Sequence, residues 1–387
     1  MNNQVFLDYV ENYDVDNIQN ALEQSFEILK LKSVFKPKMK VLLKVCMPYS
    51  ISADAGQTTH PSVVIAVAKI LTKMGVKCVL ADSPYKKYST AALDDVYLNT
   101  GMLEVANLTT CELNHNLATT RVETPNGVKA KSMTVLDVVN DVDAIINIGK
   151  VKIDNRLGYF GACANMFGLI PGEKKSLVFN RVMNFKGLNE YIIDIVDAFK
   201  DKTVLNILDG VVALEANDTP RMLSCIGVSE NPYALDASIL DIIDIPYYRT
   251  ILKQAEERNL FDEDKPYKLV GENIDKFKVE EFATFEFNEE SVLYSSENER
   301  RKIFKTHQQR VKIDPKRCKG CSICSKICPT NAIKMKYDKN GELYSEIDYD
   351  KCIFCFKCHT ACPYKVVDIE SPLKFKSIDK QINKYNK

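Results

Sequence analysis

The chain contains no apolar run approaching the ~18 residues that a membrane-spanning helix requires, so no membrane segment is expected. Its first residues, MNNQVFLDYVENYD, are acidic and lack the apolar core of a secretory signal. The sequence therefore predicts a cytoplasmic protein in a reducing compartment. No GxGxxG follows the first strand pattern, which removes the usual dinucleotide fingerprint. No GxxxxGK[ST] run occurs, which argues against electron transfer driven by ATP at a P-loop. GxSxG and HExxH are missing, as is the CxxxCxxC spacing of radical SAM enzymes. Net charge is also missing, with 52 Lys and Arg against 52 Asp and Glu. Without a basic helix or an interleaved aromatic stripe, nucleic acid is not an expected partner. Many flavin sites have no short signature, so the sequence leaves a flavin open and gives it no support.

What the chain does have is cysteine in one place. Eight of its thirteen cysteines fall in a short C-terminal stretch, as one motif written twice. The first copy is Cys318, Cys321, Cys324 and Cys328, and the second is Cys352, Cys355, Cys358 and Cys362. Each reads CxxCxxCxxxCP, the spacing of bacterial two-cluster ferredoxins. Three thiolates at three-residue intervals wrap one face of a cubane, while the fourth points away to the other cluster. Cys318, Cys321, Cys324 and Cys362 are thus expected to hold one 4Fe–4S cluster, and Cys352, Cys355, Cys358 and Cys328 the second. Zinc fits poorly, because four cysteines in one such run over-supply a tetrahedral ion. Disulfides fit worse in a chain with no sign of export.

The surroundings of the ligands repeat as well. Val311–Cys318 (VKIDPKRC) aligns with Ser345–Cys352 (SEIDYDKC), and Ala332–Met335 with Val366–Ile369. This predicts a duplicated strand–loop–helix–strand unit with pseudo-twofold symmetry. Ile323, Ile327, Ile353, Phe354 and Phe356 lie between ligands and are expected to keep water from the clusters. From Arg310 to Lys376 there are fourteen Lys and Arg against eight Asp and Glu. Such a basic module would attract an acidic electron carrier, a ferredoxin or flavodoxin, or would merely offset the charge of its own clusters.

With 387 residues, 45% hydrophobic and 27% charged, the chain is expected to form more than one packed domain. Val41–Val45 reads as a strand, 62–74 as an amphipathic helix with Thr59 or His60 as cap and Pro61 at its first position, and Val76–Ala81 as the next strand. Ala144–Ile148 and Val204–Leu208 are further strand candidates. Helices are expected over Val15–Leu31, Ala91–Thr100, Leu188–Phe199 and Ala234–Ile243. The alternation predicts an α/β domain over 1–287, a mainly parallel sheet with helices on both faces. A linker at 288–309, a small α+β ferredoxin-like domain at 310–372 and a polar tail at 373–387 complete the organisation.

In such a sheet ligands bind beyond the carboxyl ends of the strands. That rule selects Lys44 and Cys46, Asp82 and Ser83, Lys150 and Lys152, Asp209 and Gly210, the Thr58, Thr59 and His60 loop, and Asn165. Together they suit an anionic or phosphorylated small substrate. Of these, Lys44, Thr58, Thr59, Asp82, Lys150, Asn165 and Asp209 are the expected substrate contacts. His60 and Lys152 are the expected catalytic groups. Each has a plainer role: a helix cap for His60, solvated strand ends for the lysines, turns for Asp82 and Asp209, a buried small hydrophobe for Cys46. Cys78, Cys111, Cys163 and Cys225 are read as structural.

The large domain resembles the family designated domain of unknown function three-six-two. The resemblance rests on Val41–Lys44 (VLLK), Thr58–Val64 (TTHPSVV), Ala81–Pro84 (ADSP), Asn165–Gly172 (NMFGLIPG), Thr219–Arg221 (TPR) and Ala234–Asp236 (ALD). A C-terminal ferredoxin module is a common companion, and the resemblance implies a redox role without a settled reaction. The chain departs from the family pattern at Val45 and Cys46, where Pro-Asn is usual. It departs again at Lys152-Ile153-Asp154, where Lys-x-His is usual, and at Ala164-Asn165, where a Lys-Asn pair is usual. The expectation is an iron–sulfur oxidoreductase that passes low-potential electrons to a substrate in the α/β domain. The alternatives are a non-catalytic relay whose α/β domain docks a partner redox enzyme, and a cluster-bearing sensor or assembly factor.

Overall fold

A computed structural model describes residues 2–85, 88–154, 158–182, 184–284, 310–328, 331–349, 351–352 and 357–370. The chain divides into two compact units. One comprises Met1–Gly172 and Asn184–Ser291, the other Glu173–Met183 and Val292–Lys387.

The first unit is organised on a nine-stranded sheet. Its strands are β1 (Gln4–Tyr9), β2 (Lys40–Lys44), β3 (Lys77–Ala81), β4 (Glu112–Leu113), β7 (Ala144–Asp154), β8 (Gly158–Phe160), β9 (Thr203–Leu214), β10 (Pro220–Ser229) and β11 (Lys268–Gly271). A separate hairpin joins β5 (Thr119–Glu123) to β6 (Ser132–Leu136). The spatial order is β11-β1-β10-β9-β7-β2-β3-β4, with β8 paired to β7. Pairs β2·β3, β2·β7, β3·β4, β7·β9 and β1·β11 are parallel. Pairs β1·β10, β9·β10 and β7·β8 are antiparallel. The sheet is therefore mixed but mainly parallel. β8 and β10, which run against the central strands, are among those the sequence pattern did not reveal.

Helices α1 (Val15–Ile28), α2 (Pro61–Lys73), α3 (Thr90–Asn99) and α4 (Met102–Leu108) pack as one group. Helices α5 (Ala162–Asn165), α7 (Phe185–Phe199), α8 (Pro232–Ile242) and α9 (Ile251–Glu257) pack as another, while α6 (Gly172–Val182) belongs, but for its first residue, to the second unit. Helix α2 starts where expected: the His60 ring accepts from the Ser62 N–H, Pro61 occupies the first turn, and Gly75 follows at φ +74°. α1 ends at Ile28, three residues short of the expected Leu31, and a short 3₁₀ turn takes over.

The central strands outrun the sequence pattern. β7 continues to Asp154 and β9 to Leu214, and all of β7 but its last residue is buried. A strand covered on both faces reads as one apolar run. Here that run admits two lysines, so its polar end is hidden from a hydropathy pattern.

The described part of the second unit repeats a strand–helix–strand motif. It runs β12 (Arg310–Ile313), α10 (Ile323–Ile327) and β13 (Ile333–Tyr337), then β14 (Leu343–Ile347), α11 (Lys357–Ala361) and β15 (Val367–Glu370). β12 pairs with β15 and β13 with β14, both antiparallel. The first and last strands therefore meet. The stretches expected as linker and tail lie outside the described residues.

Candidate functional site

Because β2, β3, β7 and β9 are mutually parallel, their carboxyl ends share one edge of the sheet. Lys44 closes β2, and its ammonium lies 3.0 Å from Asp82 Oδ1, just after β3. It also donates to the Val45 carbonyl at 2.6 Å and to Asn165 Oδ1 at 3.3 Å. The other Asp82 oxygen accepts from the Met47 N–H. Gly168 is packed onto this pair so closely that a Cβ there would sit 2.0 Å from Asp82 Oδ1 and 2.4 Å from Lys44 Nζ. The Asn165–Gly172 block thus owes its glycine to a buried ion pair.

A second pair lies one strand further along. Lys150 Nζ is 2.9 Å from Asp209 Oδ2, with both side chains fully buried. Burial pushes the Lys150 ammonium below its ordinary pKa although Asp209 opposes the change. Asp209 further accepts from the Tyr13 hydroxyl at 2.9 Å and from the His60 backbone N–H at 2.9 Å. The plainer readings fail for these residues: Lys150 and Lys152 are buried rather than solvated, and Asp209 lies inside β9 rather than in a turn.

Lys152 differs. It is 1% exposed, and its ammonium donates to the Gln57 carbonyl at 2.8 Å and lies 4.6 Å from the centre of the Phe160 ring. Among the described residues no carboxylate lies within 4.0 Å of it. Beside Gln57, the buried Thr58 hydroxyl has no hydrogen-bond partner among the described residues. Thr59, by contrast, is committed to the backbone: it donates to the Ile148 carbonyl and accepts from the Cys46 N–H, each at 2.9 Å.

His60 does cap α2, through Nδ1. Its ring stacks on Tyr13 at 3.6 Å, and Nε2 stands 3.7 Å from Asp54 Oδ1. Burial pulls its pKa below the ordinary value, so the ring is neutral at neutral pH with its proton on Nε2. Cys46 is buried, and burial pushes its thiol up despite the nearby lysines, which leaves it a poor nucleophile. Ser83 accepts from the Gly172 N–H at 2.8 Å. Cys78, Cys111, Cys163 and Cys225 are all buried with raised thiol pKa values, as structural cysteines are.

In the second unit, Cys318, Cys321, Cys324 and Cys362 line one small cavity with Ile313, Val366 and Val367. One motif thus contributes three cysteines to the lining and the other contributes one, the exchange of a fourth ligand that two-cluster ferredoxins show. Cys328, Cys352 and Cys358 border the same apolar core, built on Val311, Ile313, Ile333, Ile347 and Val367. Cys355, Ile353, Phe354 and Phe356 lie outside the described residues. Ile323 and Ile327 do not seal the site as expected: they are 40% and 43% exposed, and the strand residues exclude water instead.

Residues 41–241, more than half of the chain, match the family model described as Domain of unknown function (DUF362). The chain belongs to the DUF362 family. Residues 317–366 match a 4Fe-4S dicluster domain. A thylakoid-associated protein of Synechocystis sp. is 25% identical over 255 residues, 64% of this chain and 77% of that protein. A putative dimethyl sulfoxide reductase iron-sulfur subunit of Halobacterium salinarum is 44% identical over 52 residues, 13% of this chain and 18% of that one. A subunit of the ion-translocating oxidoreductase complex of Methanosarcina acetivorans is 38% identical over 52 residues, with the same coverage. The apoprotein of lactate racemase from Thermoanaerobacterium thermosaccharolyticum aligns at a TM-score of 0.37 and 11% identity over 59% of this chain and 54% of that one, too distant to carry an argument. This DUF362 protein thus carries 4Fe–4S clusters in a ferredoxin-type electron-transfer domain. No described helix is long and apolar enough to cross a membrane.

Two groups in the DUF362 unit escaped the sequence reading. Tyr13 bridges Lys150 at 2.7 Å and Asp209 at 2.9 Å, and accepts from the Val212 N–H. It lies outside any motif. Asp236 accepts from the Ala162 N–H at 2.6 Å and the Cys163 N–H at 3.0 Å, which anchors the start of α5 and so places Asn165. Burial raises its carboxyl to about 6. Its only sequence signal was the ALD block.

Proposed function

We propose that this protein is a cytoplasmic iron–sulfur oxidoreductase whose clusters deliver low-potential electrons to a small anionic substrate held in the DUF362 unit. The observation that carries this reading is Lys152. Three buried lysines share the sheet edge, and two of them meet buried aspartates. Lys44 and Lys150 are matched by Asp82 and Asp209, whereas Lys152 forms no ion pair among the described residues and feels the exposed Asp218 only at longer range. An ammonium removed from water without a counter-charge costs several kcal/mol. A carboxylate or phosphate of a substrate offsets that cost, and the unpartnered Thr58 hydroxyl supplies a hydrogen bond beside it.

When bound, the clusters supply single electrons at low potential. The residues of the chain orient the acceptor: Lys152 and Thr58 bind its anionic group, and the Lys44–Asp82 and Lys150–Asp209 pairs hold the walls rigid. Reduction of a C=C or C=O bond consumes two electrons and two protons. The two protons come from solvent, and the neutral His60, whose Nδ1 is committed to the α2 cap, offers its Nε2–H as a hydrogen-bond donor that polarises the accepting group. A ferredoxin or flavodoxin is the expected electron donor to the basic cluster module.

The test is reoxidation of the dithionite-reduced, reconstituted protein under anaerobic conditions by a panel of small unsaturated carboxylates and phosphorylated carbonyl compounds. Acceleration by at least one compound, lost in Lys152→Met with cluster content intact, supports the proposal. Reoxidation only by a partner protein supports the relay. The match to components of larger redox complexes favours that second reading.

A further inference from the structure

We infer that the Ser345 hydroxyl raises the reduction potential of the cluster held by Cys318, Cys321, Cys324 and Cys362, and leaves the other cluster alone. The inference rests on the two-cluster reading of the C-terminal unit.

The two halves of that unit are in register. Ile333 pairs with Ile347 and Met335 with Ser345 across β13 and β14. Ile313 pairs with Val367 and Val311 with Ile369 across β12 and β15. The sequence repeat makes Ser345 the equivalent of Val311. One half therefore has a hydroxymethyl group where the other has a larger, purely apolar isopropyl group.

The hydroxyl is directed at ligand sulfurs. Ser345 is 2% exposed and lines the same cavity as the four cysteines. Its Oγ lies 3.2 Å from Cys324 Sγ and 3.9 Å from Cys318 Sγ. The third sulfur within reach is the Met335 thioether, 3.3 Å away. As cluster ligands the cysteines are thiolates and have no proton to give, so the serine must donate. Its single proton goes to the charged sulfur in preference to a neutral thioether, a weak acceptor.

Hydrogen bonds to the sulfurs are among the factors that set the potential of such clusters. A donor stabilises the reduced state, which carries the extra negative charge, and so raises the potential. At 2% exposure no bulk water replaces the donor if it is removed. The Ala332 N–H donates to Cys328 Sγ at 3.2 Å, in the other ligand set, and being backbone it survives substitution at 345. The serine is thus one positioned, removable difference between the two halves, and it biases where an incoming electron rests.

The experiment is an EPR-monitored redox titration of the full chain, reconstituted anaerobically, as wild type, Ser345→Ala, Ser345→Thr and Val311→Thr. Ser345→Ala should lower one potential by about 59 mV, which is a tenfold change in the oxidised-to-reduced ratio of a one-electron couple. The second potential should not move. Ser345→Thr keeps the hydroxyl and should stay near wild type. Val311→Thr should raise the other potential. Unchanged potentials in Ser345→Ala, or equal shifts of both, with full iron and sulfide, would overturn this inference alone. A wild-type chain that binds no iron would overturn the two-cluster reading and this inference with it.

Discussion

Lys150 and Asp209 are Cα partners on neighbouring parallel strands, and their charged groups meet at 2.9 Å with no solvent contact. The pair is a cross-strand contact built into the register of the sheet. Removing one partner leaves the other charged and buried, which costs about 3–5 kcal/mol. Asp209→Asn should therefore destabilise the protein by that much in denaturant titrations followed by circular dichroism. The double variant Asp209→Asn with Lys150→Met should recover most of the loss, whereas an additive double variant would contradict the coupling.

Lys152→Met should behave in the opposite way. No carboxylate loses its partner, so stability should stay within about 1 kcal/mol of wild type or rise. Binding of small anions, measured by calorimetry, should fall at least tenfold. A large loss of stability would show that Lys152 holds the Gln57 loop rather than a ligand.

Asp236 makes stability depend on pH. Its carboxyl rises from the ordinary 3.8 to about 6 on folding, so the folded state holds the proton more tightly. The stabilisation is complete below the unfolded value and is lost as pH rises through the folded one. Between about pH 4 and 6 this residue should remove on the order of 2–3 kcal/mol, at about 1.4 kcal/mol per pKa unit. Asp236→Asn should lack that slope, and an identical profile in both proteins would refute the assignment.

Gly168→Ala tests the packing on the first ion pair. The added methyl meets two charged atoms well inside contact distance, and the strain should cost about 1–3 kcal/mol or more. Wild-type stability in that variant would mean that Lys44 and Asp82 can part without cost.

Iron counting addresses the ligand assignment. Cys362→Ser should lose about half of the eight irons expected for two cubanes, with the other cluster's signal retained. Cys46→Ser should retain all of them. Full iron content in Cys362→Ser would place the fourth ligand elsewhere.

The legible part of this molecule was the part set by short-range chemistry. The α2 start could be read from Thr59, His60 and Pro61 because capping is local, and the cysteine spacing declared its cofactor for the same reason. The strands β1, β10 and β11 were missed because their place in the sheet depends on partners more than two hundred residues away for β1. Lys150 and Lys152 were expected near a strand end, yet their burial was hidden because only the long β7–β9 pairing covers them. Tyr13 could not be found at all: its two charged partners lie 137 and 196 positions downstream.

The meeting of β12 with β15 has a consequence for biogenesis. Cys318, Cys321 and Cys324 line one cavity with Cys362, which precedes the last described strand by only a few residues. A ribosome that has made the first motif has not yet made a complete metal nest. On the proposed ligand assignment, that site gains its fourth cysteine only once the second motif has been made, so the two motifs must fold together to complete it.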